Sequence, residues 1–166
     1  DNPTATASDA YTISVTLTDD DTGTDTDSAT TTITNVAPIL TLDAVAAISE
    51  GQTATLSGTI TDPGTQDTFT VVVNWGDGTG TQTFNYPAGT TTFSETHRYL
   101  DDDGDDQYTI TVTVTDDDTG ADTETAVIAV TNVPPTIALS GAATVNEGAT
   151  YTLTLGAIAD PGTDTV

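Results

Sequence analysis

The chain has 166 residues, of which 26 are acidic, whereas Arg98 is its one lysine or arginine, so the formal net charge is −25. Nucleic acid and anionic membrane surfaces are poor partners, because both bind through lysine and arginine. The absence of cysteine excludes disulfide bonds and thiolate metal sites. No apolar run approaches the roughly 20 residues that span a bilayer, so membrane insertion is not expected.

Threonine makes up roughly a quarter of the residues, far above its usage in ordinary globular domains. Aromatic residues amount to 5%, so a core must be small and built mainly from Val, Ile, Leu and Ala. An acidic chain with few aromatics can be disordered, but the strand periodicity described next argues against disorder. Because an initiator methionine and a signal peptide are both absent, we expect this to be a segment of a longer protein.

The first predicted element is YTISVTLTDDDTG from Tyr11, where alternating apolar and hydroxyl residues precede three aspartates. A period of two is typical of a strand with one face on a core. Further strands, separated by Gly, Asp and Pro turns, are predicted at Pro38–Leu42, Thr53–Ile60, Phe69–Trp75, Gly80–Tyr86, Thr91–Thr96, Tyr108–Thr115 and Thr123–Val130. No segment shows helical periodicity. The pattern predicts an all-β protein built as an antiparallel β-sandwich.

The sequence repeats itself with an offset of 97 residues. The matching pairs are Tyr11 with Tyr108, Asp19–Asp21 with Asp116–Asp118, TNVAPILTL from Thr34 with TNVPPTIAL from Thr131, and ISEG from Ile48 with VNEG from Val145. TDPGT from Thr61 recurs as ADPGT from Ala159 at an offset of 98. This period suits an immunoglobulin-like sandwich of about 100 residues and exceeds that of solenoid repeats.

We therefore predict tandem sandwiches: the C-terminal part of one repeat (1–35), one complete repeat (36–132) and the N-terminal part of the next (133–166). Both end fragments lack a counterpart of Thr70–Leu100, so together they cannot form a complete repeat. We expect them to join neighbouring repeats of the same chain or of identical chains.

Acidic residues lie in the predicted turns rather than along the strands. One interpretation is turn formation and solubility alone, because aspartate favours turns. Three consecutive aspartates without basic partners repel one another, however, and such excess charge destabilises a compact state. Ca²⁺ fits best, since it accepts about 6–8 oxygen ligands with loose geometry, whereas Mg²⁺ prefers strict octahedra and Zn²⁺ usually takes His or Cys. With no EF-hand spacing present, we predict calcium sites assembled from several loops.

NWGDGT from Asn74, followed by HRYLDDDGDDQYTITVTVTDDDTG from His97, resembles the signature of PKD-type repeats, which occur in tandem in large bacterial surface proteins and adhesins. This resemblance covers the whole predicted repeat and implies an Ig-like sandwich in an extracellular, structural role. The linker TNVAP with a downstream EG is similar to cadherin-type junctions, where calcium binds between domains. Together the two resemblances imply a calcium-stiffened stalk or filament at the bacterial cell surface.

The cadherin analogy implies a set of junction ligands and their counterparts in the adjacent repeats. The ligands are Asn35, Glu50, Asp116, Asp117 and Asp118, with Asn132, Glu147, Asp19, Asp20 and Asp21 as the counterparts. Other turn aspartates are candidates for sites within a domain: Asp62 with its counterpart Asp160, then Asp67, Asp77, Asp101 and Asp103, the last two in the loop Asp101–Asp106. A solvated turn residue is the alternative interpretation of Glu50.

Three further residues belong to the fold signature rather than to a site. Trp75 is predicted to anchor the core, His97 to be a core or strand residue, and Arg98 to pair with an aspartate of the loop Asp101–Asp106.

Two other functions compete with the structural one. A carbohydrate-binding or spacer module of a secreted hydrolase needs exposed aromatic platforms, whereas Tyr86, Tyr99 and Tyr108 have the pattern of core residues. Any surface or glycan ligand would then bind elsewhere in the full protein. A glycosidase that uses two carboxylates is disfavoured, because the same acidic clusters recur in each repeat and mark no unique cleft. We therefore expect no enzymatic activity.

Overall fold

A computed structural model describes residues 6–164. These residues form twelve strands: β1 Ser8–Thr18, β2 Thr24–Thr34, β3 Ile39–Leu42, β4 Ile48–Ser49, β5 Thr53–Thr61, β6 Phe69–Asn74, β7 Thr81–Tyr86, β8 Thr92–Arg98, β9 Gln107–Asp116, β10 Ala121–Thr131, β11 Thr136–Gly141 and β12 Leu153–Ala159. The described part of the chain contains no helix of the length and hydropathy needed to cross a membrane.

Strands β3 to β10 form a two-layered unit, which we call the central sandwich. One sheet has the order β4-β10-β9-β6-β7 and the other the order β3-β5-β8. All pairings are antiparallel except the short parallel contact of β4 with β10. The predicted all-β sandwich is confirmed, and each predicted strand of this unit matches an observed one within two residues at either end. Strand β4 was not predicted, because two residues carry no periodicity.

The core lies between the two sheets and is built from aliphatic side chains. In β9, Ile110, Val112 and Val114 are fully buried, while the intervening threonines face partly outward. Val71 and Val73 of β6 pair with Val114 and Val112 across the sheet. Burial of such side chains provides most of the stability of a fold, at about 25 cal/mol per Å² of apolar surface. The alternation of apolar residues with threonine therefore places one face of the strand in the core.

The WGDG turn and the HRY segment form one buried network. Trp75 is fully buried; its Nε1 donates to Gln82 Oε1 at 2.7 Å, and its ring stacks on His97 with ring centroids 4.8 Å apart. The Tyr99 hydroxyl, also buried, donates to the Trp75 carbonyl at 2.9 Å. Gly76 has a φ of +84°, and a Cβ there would meet the Thr109 carbonyl oxygen at 2.4 Å. The prediction that Trp75 anchors the core is confirmed, and His97 is a strand residue as expected.

Arg98 differs from its predicted role. Its Nε donates to the carbonyl oxygen of Gly51 at 2.7 Å. The pairing of β5 with β8 sets Arg98 opposite Thr53 and so beside the Gly51 turn, away from an aspartate partner. Within residues 6–164 the one salt bridge joins His97 to Asp77, at 2.6 Å. The prediction of an Arg98–aspartate pair was therefore wrong.

A separate two-stranded sheet flanks the central sandwich on each side: the N-terminal hairpin (β1–β2) and the C-terminal hairpin (β11–β12). Thr18 faces Thr24 in the N-terminal hairpin as Thr115 faces Ala121 in β9–β10. The C-terminal hairpin has the same starting register as β3–β5 when shifted by the sequence offset. The apolar residues of both hairpins are largely exposed, for example Leu17 at 74%, because neither hairpin has an opposing sheet.

Replacing Tyr99 with phenylalanine tests the contribution of the buried network. The substitution keeps the stacked ring but leaves the buried Trp75 carbonyl without its donor, so we expect a loss of about 1–2 kcal/mol in the free energy of unfolding. Urea denaturation followed by tryptophan fluorescence measures it. Tyr11→Phe is the matched control, because the Tyr11 side chain is exposed. Equal stabilities of the two variants would contradict the assigned role of the hydroxyl.

Candidate metal sites at the two ends of the sandwich

Acidic side chains gather at both ends of the central sandwich. At one end the β5–β6 loop and the β9–β10 turn meet Asn35; we call Asn35, Asp62, Asp67 and Asp116 the entry cluster. At the other end Glu50, Asp101, Asp102 and Asp164 form the exit cluster. Strand β10, with 11 residues, connects the two ends, which are therefore separated by about 35 Å.

The entry cluster is held by backbone amides and by an asparagine. Asp62, Asp67 and Asp116 each present a carboxylate oxygen within 4.8 Å of the others. Asp62 Oδ1 accepts from the Gly64 amide at 2.7 Å, and Asp116 Oδ1 accepts from the Gly120 amide at 2.6 Å. Asn35 Nδ2 donates to Asp116 Oδ2 at 2.8 Å. These bonds fix one oxygen of Asp62 and both oxygens of Asp116, and so hold the carboxylates close together.

Several oxygen atoms of the entry cluster are buried without a hydrogen-bond partner among the described residues. They are Asp62 Oδ2, Asp67 Oδ2 and Asn35 Oδ1. Asp67 is only 3% exposed. Nearby Asp118 is 1% exposed, and both of its carboxylate oxygens lack a partner. Burying a carboxylate without a partner is costly. A bound cation would provide that partner, and the oxygen atoms of the cluster are suitable ligands for one.

The pKa values of two carboxyl groups in the entry cluster are raised. Burial raises the pKa of Asp62 and of Asp67 above the ordinary value of 3.8, and the neighbouring carboxylates raise both further. Desolvation and like charges disfavour the ionised form. In the absence of a cation, Asp62 and Asp67 are therefore harder to ionise than ordinary aspartates.

The N-terminal hairpin shows what the three-aspartate turn does by itself. Its Asp19 Oδ1 accepts from the Gly23 amide at 2.6 Å, as Asp116 does from Gly120. Thr22 and Thr119 share a positive φ, 72° and 75°. Yet Asp19, Asp20 and Asp21 are all exposed, because residues 6–164 contain no counterpart of the β5–β6 loop that covers them. The turn sequence therefore determines the backbone conformation of the turn. The β5–β6 loop, which packs over the β9–β10 turn, brings further carboxylates beside it and buries them.

Glu50 is the centre of the exit cluster. It is 1% exposed; its Oε1 accepts from the Val133 amide at 2.5 Å, and its own amide donates to the Thr131 carbonyl at 3.0 Å. Its Oε2 is buried and has no partner within the described chain. Glu50, Asp101, Asp102 and Asp164 present oxygen atoms within 4.8 Å of one another. One side chain thus links the segment after β10 to an acidic cluster.

The exit cluster combines side chains from the central sandwich with side chains from the loop after β12. Asp160 Oδ1 accepts from the Gly162 amide at 3.1 Å, and Asp160 Oδ2 is buried without a partner in residues 6–164. A Cβ on Gly162 would lie 2.1 Å from Glu50 Oε2. A larger residue at this position would displace the Glu50 carboxylate or the loop.

The pKa values of two carboxyl groups are also raised at the exit cluster. Burial raises the pKa of Asp164 to about 6, helped by a hydrogen bond with Asp101 and by the charge of Glu50. Burial and a hydrogen bond with Asp106 raise the pKa of Asp102. A hydrogen bond between two carboxyl groups requires a proton on one of them. A divalent cation would remove the need for these shared protons.

The structure brings together some of the predicted ligands and separates others. Asn35 meets Asp116 as predicted, and Asp62 and Asp67 lie beside them. Glu50 lies at the opposite end, because β4 pairs with the last residues of β10 whereas Asp116 precedes its first. Asp117 Oδ1 accepts from the Thr68 amide at 2.9 Å, next to the entry cluster.

The remaining predicted ligands lie outside both clusters. Asp77 contacts His97 and Thr79, and although burial opposes it, their hydrogen bonds lower the pKa of Asp77. Asp103 Oδ1 accepts from the amides of Asp105 and Gln107 and so closes a turn. Asn132 and Glu147 are exposed. Asp164 was missed, although its position just after the ADPGT motif that repeats TDPGT was a usable signal.

Comparison with known families agrees with the fold and the WGDG network. The model of the PKD domain family matches residues 35–131, which is more than half of the chain. The chain therefore belongs to the PKD domain family, whose members are typically extracellular or surface-exposed modules. A search of curated proteins found no match.

The raised pKa values predict how stability depends on pH in metal-free buffer. A carboxyl group whose pKa is higher in the folded than in the unfolded chain binds protons preferentially when folded, so stability rises as the pH falls toward the unfolded value. With excess chelator, we expect the melting temperature to increase between about pH 7 and pH 5. Asp164→Asn should reduce this slope, because the pKa of Asp164 is about 6, and Asp105→Asn, at an exposed position, should not. Identical slopes in all three proteins would contradict the assignment.

Proposed function

We propose that this chain is a non-catalytic structural part of a bacterial surface adhesin or filament, in which tandem sandwiches are stiffened by calcium at their junctions. The observation that carries the proposal is the composition of the exit cluster. Glu50, Asp101 and Asp102 come from the central sandwich, while Asp164 comes from the segment that follows it. A cation bound there would hold two consecutive units together.

Calcium is the cation that the donor set favours. All candidate ligands are carboxylate or side-chain amide oxygens, which are hard donors suited to Ca²⁺ with its loose geometry. His97, the single histidine, stacks on Trp75, meets the Tyr99 ring edge to face, and is bound to Asp77 rather than to either cluster. Zinc, which favours nitrogen and sulfur ligands, is correspondingly disfavoured.

Stiffening follows from the position of the linker between the units. The Val133 amide is bound to Glu50 Oε1, so a cation on Glu50 would also restrain the linker. Fixing the backbone of one residue costs about 1–2 kcal/mol in conformational entropy. A cation coordinated by carboxylates of both units would offset that cost over several residues of the linker.

Tandem organisation is supported by the hairpins on both sides of the sandwich. They reproduce the strand registers of β9–β10 and β3–β5, and the loop after β12 repeats the Asp62–Gly64 hydrogen bond as Asp160–Gly162. The natural partners are therefore neighbouring repeats in the same chain or in identical chains. An adhesive or glycan target would bind another part of a longer protein.

A carbohydrate-binding or spacer module of a secreted hydrolase is the alternative. Such binding relies on exposed aromatic faces, but Tyr99 is fully buried, and Tyr86 and Tyr108 are half-buried against the core. These three rings build the sandwich rather than a platform. Specific binding of the chain on a glycan array would favour the alternative.

Glu50→Gln tests calcium binding at the exit cluster, with Glu147→Gln as a control at the corresponding exposed position. Calorimetric titration of the native chain should show calcium binding and a rise of several degrees in melting temperature over the metal-free state. Glu50→Gln should lose the exit site, because Gln lacks the charge of the buried carboxylate, and Glu147→Gln should titrate like the native chain. Absence of binding heat and of any melting shift would refute the calcium proposal.

Gly162→Ala tests whether the exit cluster holds consecutive units together. The new Cβ would collide with Glu50 Oε2, so we expect about tenfold weaker calcium binding there and a more variable arrangement of the C-terminal hairpin. Gly104→Ala is the control, because a Cβ at Gly104 meets no atom within 4 Å. Small-angle X-ray scattering with calcium, and again after EDTA, measures the distribution of molecular dimensions. A native profile that chelation leaves unchanged would contradict stiffening by metal.

A further inference from the structure

The two acidic clusters contain corresponding carboxylates. The loop Asp62-Pro-Gly-Thr-Gln-Asp67 recurs as Asp160-Pro-Gly-Thr-Asp164, with no counterpart of Gln66. Asp67 and Asp164 are therefore equivalent, again at an offset of 97 residues. Yet Asp67 belongs to the entry cluster and Asp164 to the exit cluster. In a chain of consecutive repeats, one aspartate would belong to both clusters at every junction.

The glycine of this loop shows how close the two clusters would come. A Cβ on Gly64 would lie 2.1 Å from Asp67 Oδ2, and a Cβ on Gly162 would lie 2.1 Å from Glu50 Oε2. In both copies of the loop the preceding aspartate accepts from the glycine amide, which indicates the same local conformation. Two atoms at this distance from one point are separated by at most twice the distance. The Glu50-type and Asp67-type oxygens of a complete junction therefore lie in contact range.

We propose that each complete junction is a binuclear calcium centre, with one ion in the exit cluster of the preceding repeat and one in the entry cluster of the following repeat. The Asp67-type carboxylate, seen here as Asp164, bridges the two ions. This inference rests on the proposed function, because it assigns the number and linkage of the ions at the same junction. It also explains why Glu50 and Asp116 lie at opposite ends of one sandwich: they meet between neighbours.

Buried oxygens and charge both support two ions rather than one. Glu50 Oε2 at the exit cluster and Asp67 Oδ2 at the entry cluster are each buried without a partner in the described residues, and each side chain is more than nine-tenths buried. A complete junction would contain six carboxylates, namely those of Glu50, Asp101, Asp102, Asp160 and Asp164 with the counterpart of Asp116. One divalent ion would leave most of that charge uncompensated in a partly buried site.

The test compares the ion count of the native chain with that of an extended chain containing one complete junction. The extended chain consists of residues 1–132 followed directly by residues 36–166, which keeps the 97-residue spacing and retains every native segment. Calcium per chain is measured by equilibrium dialysis with elemental analysis and by native mass spectrometry. We expect two more ions in the extended chain than in the native chain.

An increase of one ion, or of none, would overturn the binuclear junction while leaving calcium binding itself intact. If neither chain binds calcium, the proposed function fails and this inference fails with it. The two failures are thus distinguishable.

Bridging is tested in the extended chain by Asp67→Asn placed in its second copy of residues 36–132. Because that carboxylate serves both clusters, we expect the loss of two ions. Asp105→Asn in the first copy is the control at an exposed position of the acidic loop before β9, and it should lose none. Melting temperatures in chelator establish that both variants fold. The loss of a single ion by the Asp67 variant would show that the two sites do not share a ligand.

Discussion

The structure depends on holding carboxylates close together, partly out of water, in a chain whose formal net charge is −25. Like charges in a low-dielectric environment repel strongly, and the one arginine is engaged with a backbone carbonyl rather than with an acid. Backbone amides donate hydrogen bonds to some of the carboxylates, and the pKa values of Asp62 and Asp67 are raised. Other carboxylate oxygens remain buried without a partner in the described residues. The divalent cation proposed above would neutralise the carboxylates and coordinate the unpartnered oxygens.

The WGDG and HRY residues, on which the sequence resemblance to PKD-type repeats rests, have a scaffolding role relative to these clusters. His97 stacks on Trp75 and meets Tyr99 edge to face, and the Tyr99 hydroxyl donates to the Trp75 carbonyl. Tyr108 stacks on Tyr99, and its hydroxyl donates to the Asp101 carbonyl at 3.1 Å. The buried network thereby positions the first residue of the acidic loop in the exit cluster. Rigid core packing of this kind is what allows flexible, charged loops to present ligands in a defined geometry.

In a protein with repeated sequence, the ligands of one metal centre can come from two neighbouring repeats rather than from one. Glu50 and Asp116 of one sandwich cannot share an ion, because an eleven-residue strand separates them. Corresponding residues of neighbouring sandwiches would meet at one junction, because the loop that carries Asp160 and Asp164 lies against Glu50. The mechanical property of the array would then arise from sites that no single repeat completes.

The sequence by itself determined the strands, their inward faces and the acidic turns, because alternation and turn chemistry are local properties that tertiary contacts did not override. It also indicated that Asn35 and Asp116 lie together, and a hydrogen bond joins them. Only the tertiary structure decided that Glu50 is buried at the far end, that Asp77 bonds His97, and that Asp164 enters the exit cluster. Those outcomes depend on which loop covers which turn, and strand order sets that arrangement over long sequence separations that no local pattern records.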